Sequence, residues 1–293
     1  MRIFSCKNSM LHSLLCRSSR SDDLLELHNL SAKLRWPHRL EDWRFAAATG
    51  EIIVAEADSC IVGAAVYWPF GDHAASVGLV MSSSDWNAAE VEGQLMEHVT
   101  CALRERVVVL NSPVQRLDAY QHQGFKPTGC VRQFQGAVSH MREMFPDRGK
   151  RLRPLCAADV PLLSELATRA TGLDRTKIMP AVLRTAAGIG LERDGALCGF
   201  SLIRRFGRGF TIGPVITSAP DETADGLLLV NYLLHRSVGA LVRIDLGEHS
   251  GLERELLRLG LKHEDTVFTM LRNGVLDSDS QVRQLAVISH SVC

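Results

Sequence analysis

Apolar positions recur along this chain with two periods, and the switches between them lay out an order of elements. "EIIVAEA", "CIVGAAVYWP" and "AASVGLVM" are apolar runs too short for buried helices and read as three strands. A turn at Asp58 and Ser59 joins the first two. In "SSSDWNAAEVEGQLMEHV", Val91, Leu95, Met96 and Val99 fall at helical spacing, and Ser84 or Asp85 is placed to cap the helix. Upstream, residues 14–18 read as a short strand leading to a helix capped near Ser21 or Asp22. "WPHRLEDWRFAAAT" is a Pro-marked turn into a second helix. Downstream come a buried strand in "RVVVLN", a helix ending at His122 and a last strand after "GFKPTG". The class is α/β, with helices interrupting a mixed sheet.

This pattern occurs twice, at a shift of about 136 residues. "RSSRSDDLLELHNL" aligns with "RPLCAADVPLLSEL", pairing Arg17 with Arg153, Asp23 with Asp159, Leu27 with Leu163 and Leu30 with Leu166. The register persists through Glu56 and Glu192, Asp58 and Asp194, Gly63 and Gly199, and Gly124 and Gly260. A constant register that joins equivalent local patterns argues for two copies of one fold. "FPDRGK" has the composition of a linker between them. Two periodic cores and a short linker predict halves that fold separately and dock through an apolar face.

With 293 residues and 46% hydrophobic content, the chain is large enough for two cores. Lys plus Arg and Asp plus Glu both number 33, so no net field draws it to nucleic acid or to an anionic membrane. Neither the eight cysteines nor the eleven histidines show metal-ligand spacing, and no apolar run reaches the ~18 residues of a membrane span. The cysteines, Cys6 among them, are expected reduced and buried, with the protein in the cytoplasm. The opening 20 residues carry four basic side chains and no acid, which fits either a targeting segment or a ragged end before the first strand.

The order β-α-α-β-β-β-α-β-α-β, with "LDAYQHQGF" near its end, resembles the GNAT superfamily of N-acetyltransferases. Tyr120 followed by Gly124 and Phe125 matches a frequent Tyr-x-x-x-Gly-Phe ending of that family. The whole chain is similar to its tandem subset. The resemblance implies an N-terminal GNAT domain over 1–145, a more divergent GNAT-like domain over 151–273 and a tail, 274–293, outside the likeness. It also implies acetyl-CoA as co-substrate, held where the fourth and fifth strands splay, with its pantetheine along Leu79, Val80 and Met81. The pyrophosphate would rest on Asn87, Ala88, Ala89, Glu90, Val91 and Glu92, where the family's Gln/Arg-x-x-Gly-x-Gly/Ala pattern has glycines at the positions of Glu90 and Glu92.

That departure matters physically. Glycine admits the backbone close to phosphate, whereas a carboxylate adds bulk and like charge. At ~6 Å a pair of like unit charges costs about 0.7 kcal/mol in water and about 3 kcal/mol at an effective dielectric near 20. The alternative is that both glutamates satisfy the helix dipole and nothing else. The second copy has Asp221, Glu222 and Asp225 in the corresponding stretch and Leu256 in place of the tyrosine, so a second active site is not expected.

Within the resemblance, Tyr120 is placed to protonate the leaving thiolate, or else to pack its helix on the sheet. Asn111 ends a buried strand and either holds pantetheine or a proton-relaying water, or turns the chain before Ser112 and Pro113; the repeat puts Asp245 in its place. Trp36, His38, Asp42 and Trp43 would cover the acceptor cleft and offer ring faces and a carboxylate to an amine, unless they belong to the core and the solvated surface. The leading expectation is transfer of an acetyl group from acetyl-CoA to a small-molecule amine. The competing one is a catalytically inactive GNAT-fold protein, a pseudoenzyme binding another ligand or a protein partner.

Overall fold

The computed structural model describes residues 14–139 and 142–293; Cys6 and most of the basic opening stretch lie outside them. The first copy runs β1 (Leu15–Ser18), α1 (Asp23–Lys33), α2 (Leu40–Thr49), β2 (Glu51–Ala57), β3 (Cys60–Phe70), β4 (Ala74–Ser82), α3 (Ala88–Leu103), β5 (Val107–Ser112), α4 (Leu117–His122) and β6 (Lys126–Ala137). The second repeats that order in β7 (Lys150–Pro154), α5 (Val160–Thr171), α6 (Ile178–Thr185), β8 (Ala186–Arg193), β9 (Ala196–Phe206), β10 (Gly209–Ser218), α7 (Glu222–His235), β11 (Leu241–Gly247), α8 (Glu253–Arg258) and β12 (Lys262–Arg272). A further strand, β13 (Val282–Ala286), follows.

Local chemistry repeats with the elements. The β2–β3 turn holds Asp58 and Ser59 at φ 49° and 64°, and the β8–β9 turn holds Asp194 and Gly195 at 51° and 83°. Such positive pairs suit a two-residue hairpin in a right-twisted ribbon. Gly124 and Gly260, at φ 87° and 89°, end α4 and α8 in the left-handed conformation and return the next N–H to the helix: Phe125 to Tyr120 O, Leu261 to Leu256 O. Arg17 bridges Asp23 and Glu56 at 2.7 Å each. Arg153 does the same with Asp159 at 2.7 Å and Glu192 at 2.6 Å, so the aligned charges form one network built twice. One helix start differs from expectation. α3 is capped by Asn87, whose side chain accepts from Ala89 N–H at 3.1 Å, rather than by Ser84 or Asp85.

The two copies share one 13-stranded sheet in the order β1-β2-β3-β4-β5-β12-β6-β11-β13-β10-β9-β8-β7. Each copy's sixth strand lies against the other copy's fifth: β12 pairs with β5, and β6 with β11. β6 and β12 also pair with each other antiparallel, with Val131 opposite Val267. These two valines are 136 positions apart, so a pseudo-twofold axis passes between them. The copies are therefore joined by an exchange of strands in addition to the expected apolar contact. A core on one face of the sheet takes side chains from both copies, among them Leu27, Trp43 and Trp68 with Leu163, Met179 and Phe200.

Among the described residues seven cysteines are free, as expected, but only Cys293 is buried; Cys60, Cys101 and Cys156 are exposed. Their positions explain it: Cys60 opens β3 beside the turn, Cys101 lies on the solvent side of α3, and Cys156 precedes α5. Among the described residues, no helix is long and apolar enough to cross a membrane, and no His/Cys/Asp/Glu group could hold a metal.

Candidate active site

In each copy the fourth and fifth strands begin as a parallel ladder and then part. The β4–β5 ladder ends at Val77 opposite Leu110. Leu79 follows at φ 52°, and β4 slips register against β3 between Ala64 and Val66, so a bulge tilts β4 away from β5. In the second copy, β10 and β11 run together only from Phe210–Val242 to Ile212–Ile244. There β13 enters the gap, antiparallel to β10 from Val215 to Ser218 and meeting β11 at Leu246. The stretch expected as a tail outside the likeness therefore closes the second copy's opening with strand backbone.

The first copy's opening is a cavity of about 390 Å³. Leu79, Val80, Asn111 and Tyr120 line it together with Trp36, His38 and Asp42. Residues up to about 80 positions apart in sequence, picked for the two ends of one reaction, thus share one space. Other expected site residues lie elsewhere. Met81 is buried in the core at 1% exposure. Trp43 is fully buried and donates its indole N–H to Ser31 Oγ at 3.1 Å, so it packs α2 against α1. Asn87, Ala88, Ala89, Glu90, Val91 and Glu92 form the start of α3 and do not line the cavity.

Tyr120 is 8% exposed and sits edge-on to Phe125, with ring centroids 5.9 Å apart. Burial raises its pKa, and the Glu92 carboxylate adds to the rise while Arg116 opposes it, so the phenol stays protonated. Glu92 turns away from the helix axis. It accepts from Arg116 at 2.6 Å and from Ser82 Oγ at 2.9 Å, and burial raises its own pKa. Glu90 is exposed. Asn111 is engaged on both sides of its amide: it donates to His290 O at 2.8 Å and to Cys293 Sγ at 3.3 Å, and accepts from Thr269 Oγ1 at 2.8 Å. The segment after β13 thereby becomes a wall of the cavity, fixed further by Ser76 Oγ donating to Ser291 O at 3.1 Å. The fully buried Arg175 donates to the main-chain oxygens of Val292 and Cys293 at 3.0 and 2.5 Å.

His38 packs edge-on to Phe206 with centroids 5.4 Å apart and tilts against Trp36 at 5.5 Å. Burial lowers its pKa to about 4; Asp42 opposes that shift, and Arg243 and Arg204 assist it. The imidazole is neutral at pH 7, and its Nδ1 has no partner. Asp42 is held by Arg39, which donates from Nε at 3.2 Å, Nη2 at 3.3 Å and its backbone N–H at 2.9 Å.

The far wall comes from the second copy: Arg204, Phe206, Arg243 and Asp245, with His290 beyond them. Asp245 is gripped by Arg243 through two bonds of 2.8 and 2.7 Å, with His290 Nε2 at 3.5 Å. Burial pushes its carboxyl up, but His290 and Arg243 override it and hold it below the usual range. Sequence reasoning placed Asp245 opposite Asn111 in the repeat, and both line this cavity. Nothing in the linear pattern marked Arg204, Arg243 or His290, because the strand exchange brings them there.

Acetyl-CoA fits this site at one end better than at the other. Beyond Val77 the β4 main chain has no β5 partner in register, which leaves an edge for a pantetheine amide. At the α3 start, where the resemblance would put the pyrophosphate, stand Glu90 and Glu92, and the nearby cation, Arg116, is already paired with Glu92.

A family description, "Acetyltransferase (GNAT) domain", matches residues 163–282. No curated protein matches the chain by sequence. Among solved structures, a putative acetyltransferase from Pyrococcus horikoshii superposes with a TM-score of 0.74 at 15% identity, covering 98% of this chain and 99% of that one. A tandem GNAT protein from the clavulanic acid biosynthesis pathway gives 0.60 at 16% identity, over 88% and 98%. A GCN5-related N-acetyltransferase from Sphaerobacter thermophilus gives 0.61 at 13%, over 90% and 98%. At these identities the structural likeness is one of fold.

Proposed function

We propose that the chain, whose residues 163–282 match the GNAT domain description, belongs to the GNAT superfamily and is an N-acetyltransferase whose single active site is the first copy's cavity. The observation that carries the reading is the joint lining of that cavity by Leu79, Val80 and Tyr120 together with Trp36, His38 and Asp42. The acceptor is a small-molecule amine and the donor acetyl-CoA, which when bound supplies an activated thioester carbonyl. Leu79 and Val80 would hold its pantetheine along β4, and the main-chain N–H of Val80 would polarise the carbonyl. Tyr120, kept protonated by burial and by Glu92, gives its proton to the departing sulfur as the amine nitrogen bonds the acyl carbon and the C–S bond breaks, and the phenolate left behind takes up the proton that the amine sheds. His38 is neutral but weakly basic, so it orients the uncharged amine by hydrogen bonding and does not act as a strong base. Trp36 and Phe206 shield the site from water. The seven free cysteines among the described residues suit the cytoplasm, which belongs to the same reading.

One observation favours a second reading, a pseudoenzyme that keeps the cavity for another ligand: Glu90 and Glu92 at the α3 start, with Arg116 already engaged. Mass spectrometry of a mixed primary-amine panel incubated with acetyl-CoA separates the two. Protein-dependent appearance of an acetylated amine supports the transferase. Its absence, with acetyl-CoA intact, supports the pseudoenzyme.

A further inference from the structure

Of nine buried side-chain polar atoms without a partner among the described residues, three belong to residues lining this one cavity: His38 Nδ1, Arg204 Nε and His290 Nε2. Buried donors left unpaired are rare because each one loses its hydration with nothing in return. Arg204 Nε is the clear case, since His290 Nε2 faces Asp245 Oδ1 at 3.5 Å and the neutral His38 ring carries its N–H on only one of its two nitrogens; the space beside Arg204 is a place where a ligand supplies the missing acceptor. Phe206 sits at the centre of the group, with the His38 ring centroid 5.4 Å from its own and the Arg204 and Arg243 guanidinium carbons 5.6 and 5.4 Å from its centroid.

The charges sort the candidates further. Asp245 is matched by the fork of Arg243. Asp42 is matched by the Arg39 guanidinium through bonds of 3.2 and 3.3 Å. Arg204 is only loosely matched: its side chain is 11% exposed, its nearest carboxylate oxygen is Asp42 Oδ1 at 3.7 Å, its one hydrogen bond, to Ile288 O, is 3.5 Å long, and the third lining carboxylate, Asp265, is exposed and accepts from Thr266 N–H. Burial lowers its pKa, the mark of a cation short of compensation. A guanidinium offering Nε and one Nη along an edge matches the two oxygens of a carboxylate. A phosphate dianion suits the wall less, because Asp42 and Asp245 line it too and would repel a second negative charge.

We propose that the second-copy wall of the cavity is a carboxylate subsite centred on Arg204, with His38 and His290 at its sides, so that the acceptor is an amino-carboxylate rather than a simple amine. The acceptor's identity as an amine rests on the transferase reading; the carboxylate subsite does not. Each copy thus contributes one half of the substrate site: the first handles the reacting groups, and the second, without an opening of its own, recognises the acceptor's anion.

Benzoate and its neutral isostere benzamide test this on the full chain at pH 7, by calorimetric titration without any CoA. Benzoate should bind about ten-fold or more tighter than benzamide. Arg204→Gln should abolish that preference, and Arg204→Lys, which keeps the charge, should retain part of it. Equal binding of the two, no binding of either, or a preference that survives Arg204→Gln overturns the subsite. The wild-type comparison decides the matter even if Arg204→Gln does not fold. A benzoate preference without acetyl-CoA binding would leave the subsite standing and remove the transferase, and the reverse result would do the opposite.

Discussion

Tyr120 and His38 face one cavity, and burial acts on them in opposite ways. It keeps the phenol protonated and the imidazole neutral, because each charged form would lose its hydration. Tyr120→Phe removes the proton donor while keeping the ring against Phe125. We expect kcat to fall about ten-fold or more with thermal stability within ~1 kcal/mol of the parent; unchanged turnover would make Tyr120 a packing residue. For His38, the folded pKa of about 4 lies below the ordinary value of 6.5, so the unfolded chain binds more protons between them. Stability should therefore fall as pH drops from about 6.5 toward about 4, and His38→Gln should flatten that part of the melting curve. A parent whose midpoint is level across the window would contradict the burial of the imidazole. Residue chemistry of this kind was half legible in the sequence. The resemblance put Tyr120, His38 and Asp42 at one cleft, and they line one cavity, whereas Arg204 and Arg243, which help to tune His38, come from strands more than 150 residues away.

At the scale of elements, the α3 start answers the question its sequence raises. Its two glutamates are unlike: Glu92 is half-buried and paired with Arg116, and Glu90 is exposed. Glu90→Gly with Glu92→Gly removes two like charges, restores close backbone approach and frees Arg116. CoA affinity should rise by about 1 to 4 kcal/mol. High salt should erase the Glu90 share of the gain before the Glu92 share, because exposed charges are screened most. The empty variant should melt earlier, each glycine costing up to ~1 kcal/mol in the helix, and ligand should reverse that loss. No gain in affinity at low salt would reduce both glutamates to partners of the helix dipole. Most strands and helices were readable from their periods. β13 was not: "VRQLA" is short and isolated, and only the parting of β10 from β11 gives it a place.

The whole molecule is held together by exchange. β5 has β12 as its outer neighbour and β6 has β11, so neither half contains the strand that completes its sheet. Segments 1–145 and 151–293 expressed alone should therefore be unstable or aggregate, and should recover when expressed together. Two soluble monomers that ignore each other would contradict the exchange. The repeat told that there were two copies of one fold, since Arg17 and Arg153 build the same ion-pair network. It did not tell which copy each sixth strand would join, because β6 and β12 carry equivalent patterns and both arrangements satisfy them. The same exchange brings Arg204, Arg243 and Asp245 to the first copy's opening while β13 fills the second's. One site per chain is the consequence, and calorimetric titration of the full chain with acetyl-CoA measures it directly. The account predicts a stoichiometry of one with a Kd below about 1 mM. Two equivalents, or no heat at millimolar ligand, would contradict it.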